Sequence, residues 1–271
     1  MYEDCAALAK QVRMDCVKMV YEGRSGHIGS MLSVADILAV LYNRILNVDP
    51  KDPKKADRDR LIFSKGHGGA ALFATLAEKG FFPREWLPTY YHDDGKLSGH
   101  ISHHVPGVEF STGSLGHGLP VACGMAMAAK QAGRSHRIFC IVSDGDLNEG
   151  SSWESIMLAP MHKWDNLTMI VDYNRLQALG RSCDIIDLEP LDRKLEGFGW
   201  AAKVVDGHDY AAVEDALRTL PLRSGAPSAV ICRTVKGKGV SRFEDDYRWH
   251  YGPITEEIYR EAQKELENIA I

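Results

Sequence analysis

Ile138-Phe139-Cys140-Ile141-Val142 is a continuous apolar run, led in by Arg137 and ended by the polar turn Ser143-Asp144-Gly145-Asp146-Leu147-Asn148-Glu149-Gly150. Five apolar residues without polar alternation predict a strand buried on both faces, as in a parallel sheet covered by helices. Downstream, the pattern predicts a helix from Ser151 to about His162 and a second buried strand at Leu167-Thr168-Met169-Ile170-Val171. Ala229-Val230-Ile231-Cys232 is a third, reached after a helix over Tyr210 to Leu220, and Trp200 to Val205 is a further strand candidate. Strands alternating with helices read as an α/β fold, a parallel sheet flanked by helices on both faces.

Upstream, Tyr2 to Glu22 carries an apolar stripe at Cys5, Leu8, Val12, Cys16, Met19 and Val20, which is helical spacing. A glycine-punctuated loop, Ser25-Gly26-His27-Ile28-Gly29-Ser30, follows, and Ser33 is expected to cap a second helix reaching about Asn43. Asp49 to Arg60 is a polar surface loop, Leu61-Ile62-Phe63 a short strand, and Ala70 to Lys79 a helix. Phe81 to Phe110 is irregular and rich in Pro, Gly, His and Tyr; a connection this long inside a compact domain is more often functional than idle. Leu119 to Gln131 is a helix of small residues. No repeat or linker divides the chain, so residues 1–271 are expected to form a single domain.

Composition narrows the classes of function. Thirty-two Lys and Arg against 37 Asp and Glu give a net charge of −5 without a long block of one sign, which argues against a nucleic-acid partner. The longest apolar stretch, around Val121 to Ala129, falls far short of the ~20 residues a membrane helix needs, and the acidic start Met1-Tyr2-Glu3-Asp4 is unlike a signal peptide. Cys5, Cys16, Cys123, Cys140, Cys183 and Cys232 are scattered, with neither a CxxC pair nor zinc spacing. A reduced, cytoplasmic protein is expected.

Parallel sheets bind ligands in loops at the carboxyl ends of their strands. Asp144 is the first side chain past such an end apart from Ser143, Gly145 lets backbone approach a ligand closely, and the helix behind them points its positive end at the same space. Thirty residues later Asn174 follows the next strand, in Asp172-Tyr173-Asn174-Arg175-Leu176-Gln177. Either residue alone is an ordinary turn-former. Together they offer a carboxylate and an amide oxygen to one point, which suits magnesium completed by phosphate and water.

Asp144-Gly145 with Asn174 resembles the thiamin diphosphate motif of the transketolase family. The resemblance extends, in the family's order, to Ser25-Gly26-His27, Ser64-Lys65-Gly66-His67, Gly99-His100 with Pro106-Gly107-Val108-Glu109, Thr112-Gly113-Ser114-Leu115-Gly116, and Lys236-Gly237-Lys238-Gly239 with Trp249-His250. It covers essentially the whole chain, but only the amino-terminal, diphosphate-binding half of a full-length transketolase. The implied cofactors are thiamin diphosphate and magnesium. Asp144, Asn174 and the Leu176 carbonyl are implied to hold the metal, Gly145 and His67 the diphosphate, and Gly113 and Leu115 the aminopyrimidine side. His27, His67, His100 and His250 are implied to line the substrate channel, orienting sugar hydroxyls and moving protons, work suited to a group titrating near neutrality. Glu149 and Glu154 match carboxylates between two cofactor sites at a dimer interface; Ser151-Ser152-Trp153-Glu154 also reads as a capping box. His92, His103, His104, His136, His162 and His208 are read as loop residues satisfied by backbone.

Three positions depart from the family pattern: Ser143 where glycine is usual, His117 where glutamine is common, and Ile101-Ser102-His103-His104 after the Gly-His pair. They are expected near the metal or along the substrate loop, pointing to a sugar other than that of the pentose phosphate pathway. The resemblance implies that the glutamate activating the aminopyrimidine, and the arginines gripping a substrate phosphate, come from a partner chain. The expectation is one subunit of a split transketolase, in a heterotetramer of two plus two chains, moving a two-carbon ketol unit from a ketose (phosphate) to an aldose. The competing readings are an alpha-type subunit of a 2-oxoacid dehydrogenase, a deoxyxylulose-phosphate synthase-like chain, a scaffold subunit, and a nucleotide-binding dehydrogenase. The last needs a GxGxxG directly after the first strand, which is missing.

Overall fold

The computed structural model describes residues 1–270. Five strands, β1 (Arg60–Phe63), β2 (Ile138–Ser143), β3 (Leu167–Tyr173), β4 (Ala201–Asp206) and β5 (Ser228–Arg233), form an all-parallel sheet in the order β1-β2-β3-β5-β4. Every residue of the two central strands β2 and β3 is buried, as their uninterrupted apolar runs require. Side chains alternate between faces along each strand. Ile138, Cys140, Val142, Met169, Val171 and Ile231 join one core, and Phe139, Ile141, Ile170, Val230 and Cys232 the other.

The first core packs against α5 (Gly118–Gln131), α6 (Gly150–Met161) and α8 (Leu191–Phe198). The second packs against α1 (Glu3–Glu22), α2 (Ile28–Ser33), α3 (Ala35–Val40), α4 (Gly69–Glu78), α9 (Tyr210–Arg218) and α10 (Glu256–Glu267). A single turn, α7 (Ser182–Ile185), follows β3. All six residues of the predicted α1 stripe are buried. So is Arg13, which the periodicity alone does not place inside; its guanidinium forks onto Asp36 at 2.5 and 3.0 Å. Asp36 also accepts from His208 Nδ1 at 2.6 Å and the Tyr210 hydroxyl at 2.8 Å, a cluster that pins α1, α3 and α9 together. His208 Nε2 accepts the Val235 amide, the backbone partner expected of it, but its Nδ1 is taken by the distant Asp36 carboxylate, a partner the sequence pattern does not show.

Two helix starts differ from expectation. Ser33 is the last residue of α2 and caps nothing; the helix begins five residues earlier, after His27 in the left-handed region at φ 68°. Gly26 and Gly29 are there for close approach rather than to break a helix. A Cβ on Gly26 would meet the Tyr251 ring at 2.4 Å, and one on Gly29 the Lys236 side chain at 2.9 Å. The capping box at Ser151 does not form either. Helix α6 starts at Gly150 with Glu149 in the cap position, and the Ser151 hydroxyl instead donates to the Gly116 carbonyl at 2.8 Å.

Candidate functional site

The strand pairing sets the site. Ser143 lies beside Asp172, which lies beside Cys232, so the residues just past β2, β3 and β5 emerge at one edge of the sheet. Lys65, past β1, joins them. Above this edge is a cavity of about 230 Å³ lined by His27, Ser30, His67, His100, Gly113, Leu115, Ser143, Gly145, Asn174, Leu176, Gln177, Ala178 and His250. The four histidines singled out in the sequence therefore meet, from four separate loops. Their ring centroids lie 5.1 Å (His27–His250), 5.4 Å (His27–His67 and His67–His250) and 5.8 Å (His27–His100) apart. Gly113, Leu115, Gly145, Asn174 and Leu176 share the wall.

Asp144 sits just beneath. Its Oδ2 accepts from Ser182 at 2.6 Å, while Oδ1 is buried with no hydrogen-bond partner. Burial, with Asp172 nearby, pushes the Asp144 carboxyl up to about 7 against the pull of the Ser182 hydroxyl. Asn174 Oδ1 accepts the Leu176 amide at 3.1 Å, and the Leu176 carbonyl accepts Lys236 Nζ at 3.0 Å, leaving it a second lone pair. Among the described residues no cluster of three or more His, Cys, Asp or Glu has metal-holding geometry.

Lys236 and Lys65 carry the electrostatics, although their place in the sequence motifs assigns neither of them a role. Lys236 Nζ lies 2.9 Å from His250 Nδ1, and burial together with Lys65 pulls the ammonium down to about 8. Burial first, then neighbouring cations and imidazoles, lowers His250 to about 3 and His27 to about 4, and takes His67 well below its usual range. These three imidazoles are thus neutral at neutral pH. Lys65 is fully buried, ion-paired to Asp172 and bonded to the Ser30 carbonyl at 2.8 Å. Asp172 also accepts Ser33 Oγ at 2.6 Å and Thr234 Oγ1 at 2.5 Å. Ser30 Oγ meets His67 Nε2 at 3.2 Å, so the pair underlies the histidine wall.

The depressed His27 has a measurable consequence. Between its folded value near 4 and its unfolded value near 6.5 the unfolded chain binds the extra proton, so this contribution to stability is present above ~6.5 and lost as pH falls toward 4. Asn tolerates the left-handed backbone at this position. The stability of the native chain relative to His27→Asn is therefore expected to decline through that window and level off below it. Denaturant titrations of both proteins at several pH values check this, and a pH-independent difference would rule it out.

Other predicted positions fall elsewhere. Glu149 and Glu154 are exposed on α6 and do not reach the cavity wall. Ser143 lines the cavity, but its hydroxyl donates to Asp146 Oδ2 at 2.9 Å, so it is engaged away from the expected metal. His117 is exposed, with Nδ1 3.1 Å from the Leu115 carbonyl. His103 and His104 pack with their rings tilted, centroids 4.2 Å apart, away from the cavity lining, with His103 held by Ser111.

An α/β sheet whose strand-end loops gather a buried carboxylate, an amide and four imidazoles around a glycine-lined cavity defines a domain for a diphosphate cofactor. Residues 5–267 match the family described as transketolase, thiamine diphosphate binding domain, and the chain belongs to the transketolase family. It is 44% identical to one subunit of the apulose-4-phosphate transketolase of Actinobacillus succinogenes, over 92% of this chain and 91% of that one. It is 40% identical to the 6-deoxy-6-sulfo-D-fructose transketolase subunit SqwG of a Clostridium species, over 89% and 88%. The human transketolase is 34% identical over 97% of this chain but only 43% of its own length. The transketolase structure from Campylobacter jejuni superposes with a TM-score of 0.92 at 34% identity, over 99% of this chain and 44% of that one.

Proposed function

We propose that this chain is the thiamin diphosphate- and magnesium-binding subunit of a split transketolase, its whole length acting as the single diphosphate-binding unit. The observation that carries the reading is the convergence of four histidines over a cavity floored by Gly145, Asn174 and Leu176. Its length supports the split form: it covers nearly all of two proteins named as transketolase subunits, and less than half of the human enzyme. The same histidine set argues against a scaffold subunit, which has no need of it. Hydroxyl-rich substrates need several polar anchors, and this separates the reading from 2-oxoacid dehydrogenase and deoxyxylulose-phosphate synthase types.

The donor set suits magnesium. Asp144 Oδ1, lacking a partner, would take the cation together with Asn174 Oδ1 and the free lone pair of the Leu176 carbonyl, with phosphate and water completing the shell. When bound, thiamin diphosphate supplies the electron sink for breaking and making a bond beside a ketose carbonyl. The protein supplies position and proton transfer. Lys236 donates to His250 Nδ1, which leaves the ring proton on Nε2, so His250 can donate that proton to a substrate oxygen, while the neutral His27, whose ring nitrogens are not engaged by the protein, can accept a hydrogen bond from a sugar hydroxyl. The glutamate that activates the cofactor comes, in this reading, from a carboxy-terminal partner subunit in a two-plus-two assembly that places Glu149 and Glu154 at the subunit boundary. The names of the relatives favour a ketose with an anionic tail, phosphate or sulfonate. Six free cysteines agree with a reduced cytoplasmic setting, and no helix among the described residues is long and apolar enough to cross a membrane.

The test is turnover of xylulose 5-phosphate with ribose 5-phosphate, and of apulose 4-phosphate and 6-deoxy-6-sulfofructose, by the chain with and without the product of its neighbouring gene. Turnover in the mixture alone is expected. Activity of the rigorously pure chain overturns the split reading, and a mixture that binds no thiamin diphosphate overturns the cofactor assignment.

A further inference from the structure

The four histidines are not held alike. His67 is hydrogen-bonded to Ser30 and His250 to Lys236, whereas the imidazoles of His27 and His100 make no hydrogen bond among the described residues. Ring packing alone orients His27. On its inner side are the other three histidines, and its remaining aromatic neighbour is Tyr251, edge-on at 4.9 Å. The Tyr251 ring also lies flat against Gly26, beside His27, where a Cβ would intrude to 2.4 Å. Across the rim Tyr91 does the same to Gly99, beside His100, at 2.3 Å. Tyr91 holds a left-handed backbone at φ 60°, which a bulky residue adopts only when its surroundings impose it. The two phenols adjoin, and the Tyr91 hydroxyl raises that of Tyr251 above its usual range. Both rings remain about half exposed, Tyr91 at 49% and Tyr251 at 60%, too open to be explained as core.

We infer that Tyr251, braced by Tyr91, backs His27 from outside the cavity lining and is its positioning residue. The inference rests on the sugar-channel reading of the histidine cluster. Its physical content is simple. An imidazole left free of protein hydrogen bonds is free to bind substrate hydroxyls, but it then needs packing to hold its angle. Tyr251 supplies that packing on the outside without competing for the ring nitrogens.

The test compares Tyr251→Ala and Tyr251→Phe in the complex with the partner subunit, using whichever ketose the native complex turns over. Tyr251→Ala is expected to raise KM and lower kcat/KM by about tenfold or more, because a misplacement of ~1 Å can cost that much, while thiamin diphosphate affinity stays within about twofold. Tyr251→Phe keeps the ring and is expected to restore kcat/KM to within about twofold of native. Unchanged kinetics in Tyr251→Ala, or equal damage in Tyr251→Phe, overturns the inference. A crystal structure of the Tyr251→Ala complex gives a readout independent of turnover: His27 is expected to leave its native angle, and an undisturbed ring also overturns it. If the native complex turns over no ketose, the functional reading fails, and the structure still decides whether Tyr251 positions His27.

Discussion

Replacing Asp144 by alanine is expected to abolish magnesium-dependent binding of thiamin diphosphate by the complex, lowering affinity by at least ~100-fold. The largest outer-shell effects on metal sites reach about that size, and loss of a ligand exceeds them. The expectation rests on one atom: Asp144 Oδ1 is buried without a partner while Oδ2 accepts the Ser182 hydroxyl. A buried carboxylate oxygen left unbonded is costly unless something else engages it. A second consequence has a definite sign. Burial holds the free carboxyl near 7, so a cation must displace its proton. Magnesium affinity, measured calorimetrically with thiamin diphosphate present, is expected to climb as pH rises toward 7 and to flatten above it. An Asp144→Ala complex that binds cofactor as tightly as the native one, or an affinity flat with pH from 5 to 8, would remove Asp144 from the metal site.

The second large effect concerns stability. Lys65→Met leaves the Asp172 carboxylate buried with only the Ser33 and Thr234 hydroxyls, and is expected to cost about 3–5 kcal/mol, as does breaking other buried pairs. Asp172→Asn strands the ammonium and is expected to cost a similar amount. The double variant removes both charges, so its cost is expected to fall well below the sum of the two. Urea unfolding of all four proteins measures the coupling. Simple additivity would show that the two charges do not depend on each other, contrary to their contact. Because Ser30 and Ser33 hang from this pair, the single variants are also expected to weaken cofactor binding.

Although β4 lies within one residue of the candidate Trp200 to Val205, it is weaker in the sequence, since Lys203 interrupts it and only Val205 of the strand is buried. The other four strands are legible because each is built on an apolar run. The α1 stripe was equally plain. What escaped had physical reasons. The start of α2 is masked by glycines whose purpose is contact with Tyr251 and Lys236, and a reader of local signals takes them for a break. Helices α8 and α10 carry little sequence signal because they are polar over most of their surface, each burying only two residues. At the site, residues whose chemistry shows in their side chains, the histidines and the Asp144–Asn174 pair, were found. The Lys65–Asp172 pair was not, since its partners lie 107 residues apart and a lysine is ordinarily a surface residue. Ser143 lines the cavity with its hydroxyl turned to Asp146, and His117, His103 and His104 lie outside the cavity lining, held by contacts that a linear pattern does not contain.

Asp146 lies entirely out of solvent, and its carboxylate is a three-way clamp. It accepts the Ser64 hydroxyl at 2.6 Å, the Gly116 amide at 2.9 Å, and both the amide and hydroxyl of Ser143 at 2.9 Å. These donors belong to the segment after β1, the entrance to α5, and the end of β2. One side chain thus welds three stretches of chain that are far apart in sequence, and none can shift without breaking bonds to the other two. The side of the cavity floor at Gly145 is thereby braced against the loops after β1 and before α5, so that adaptation to sugars of different shape falls to the rim and to whatever surface closes over it.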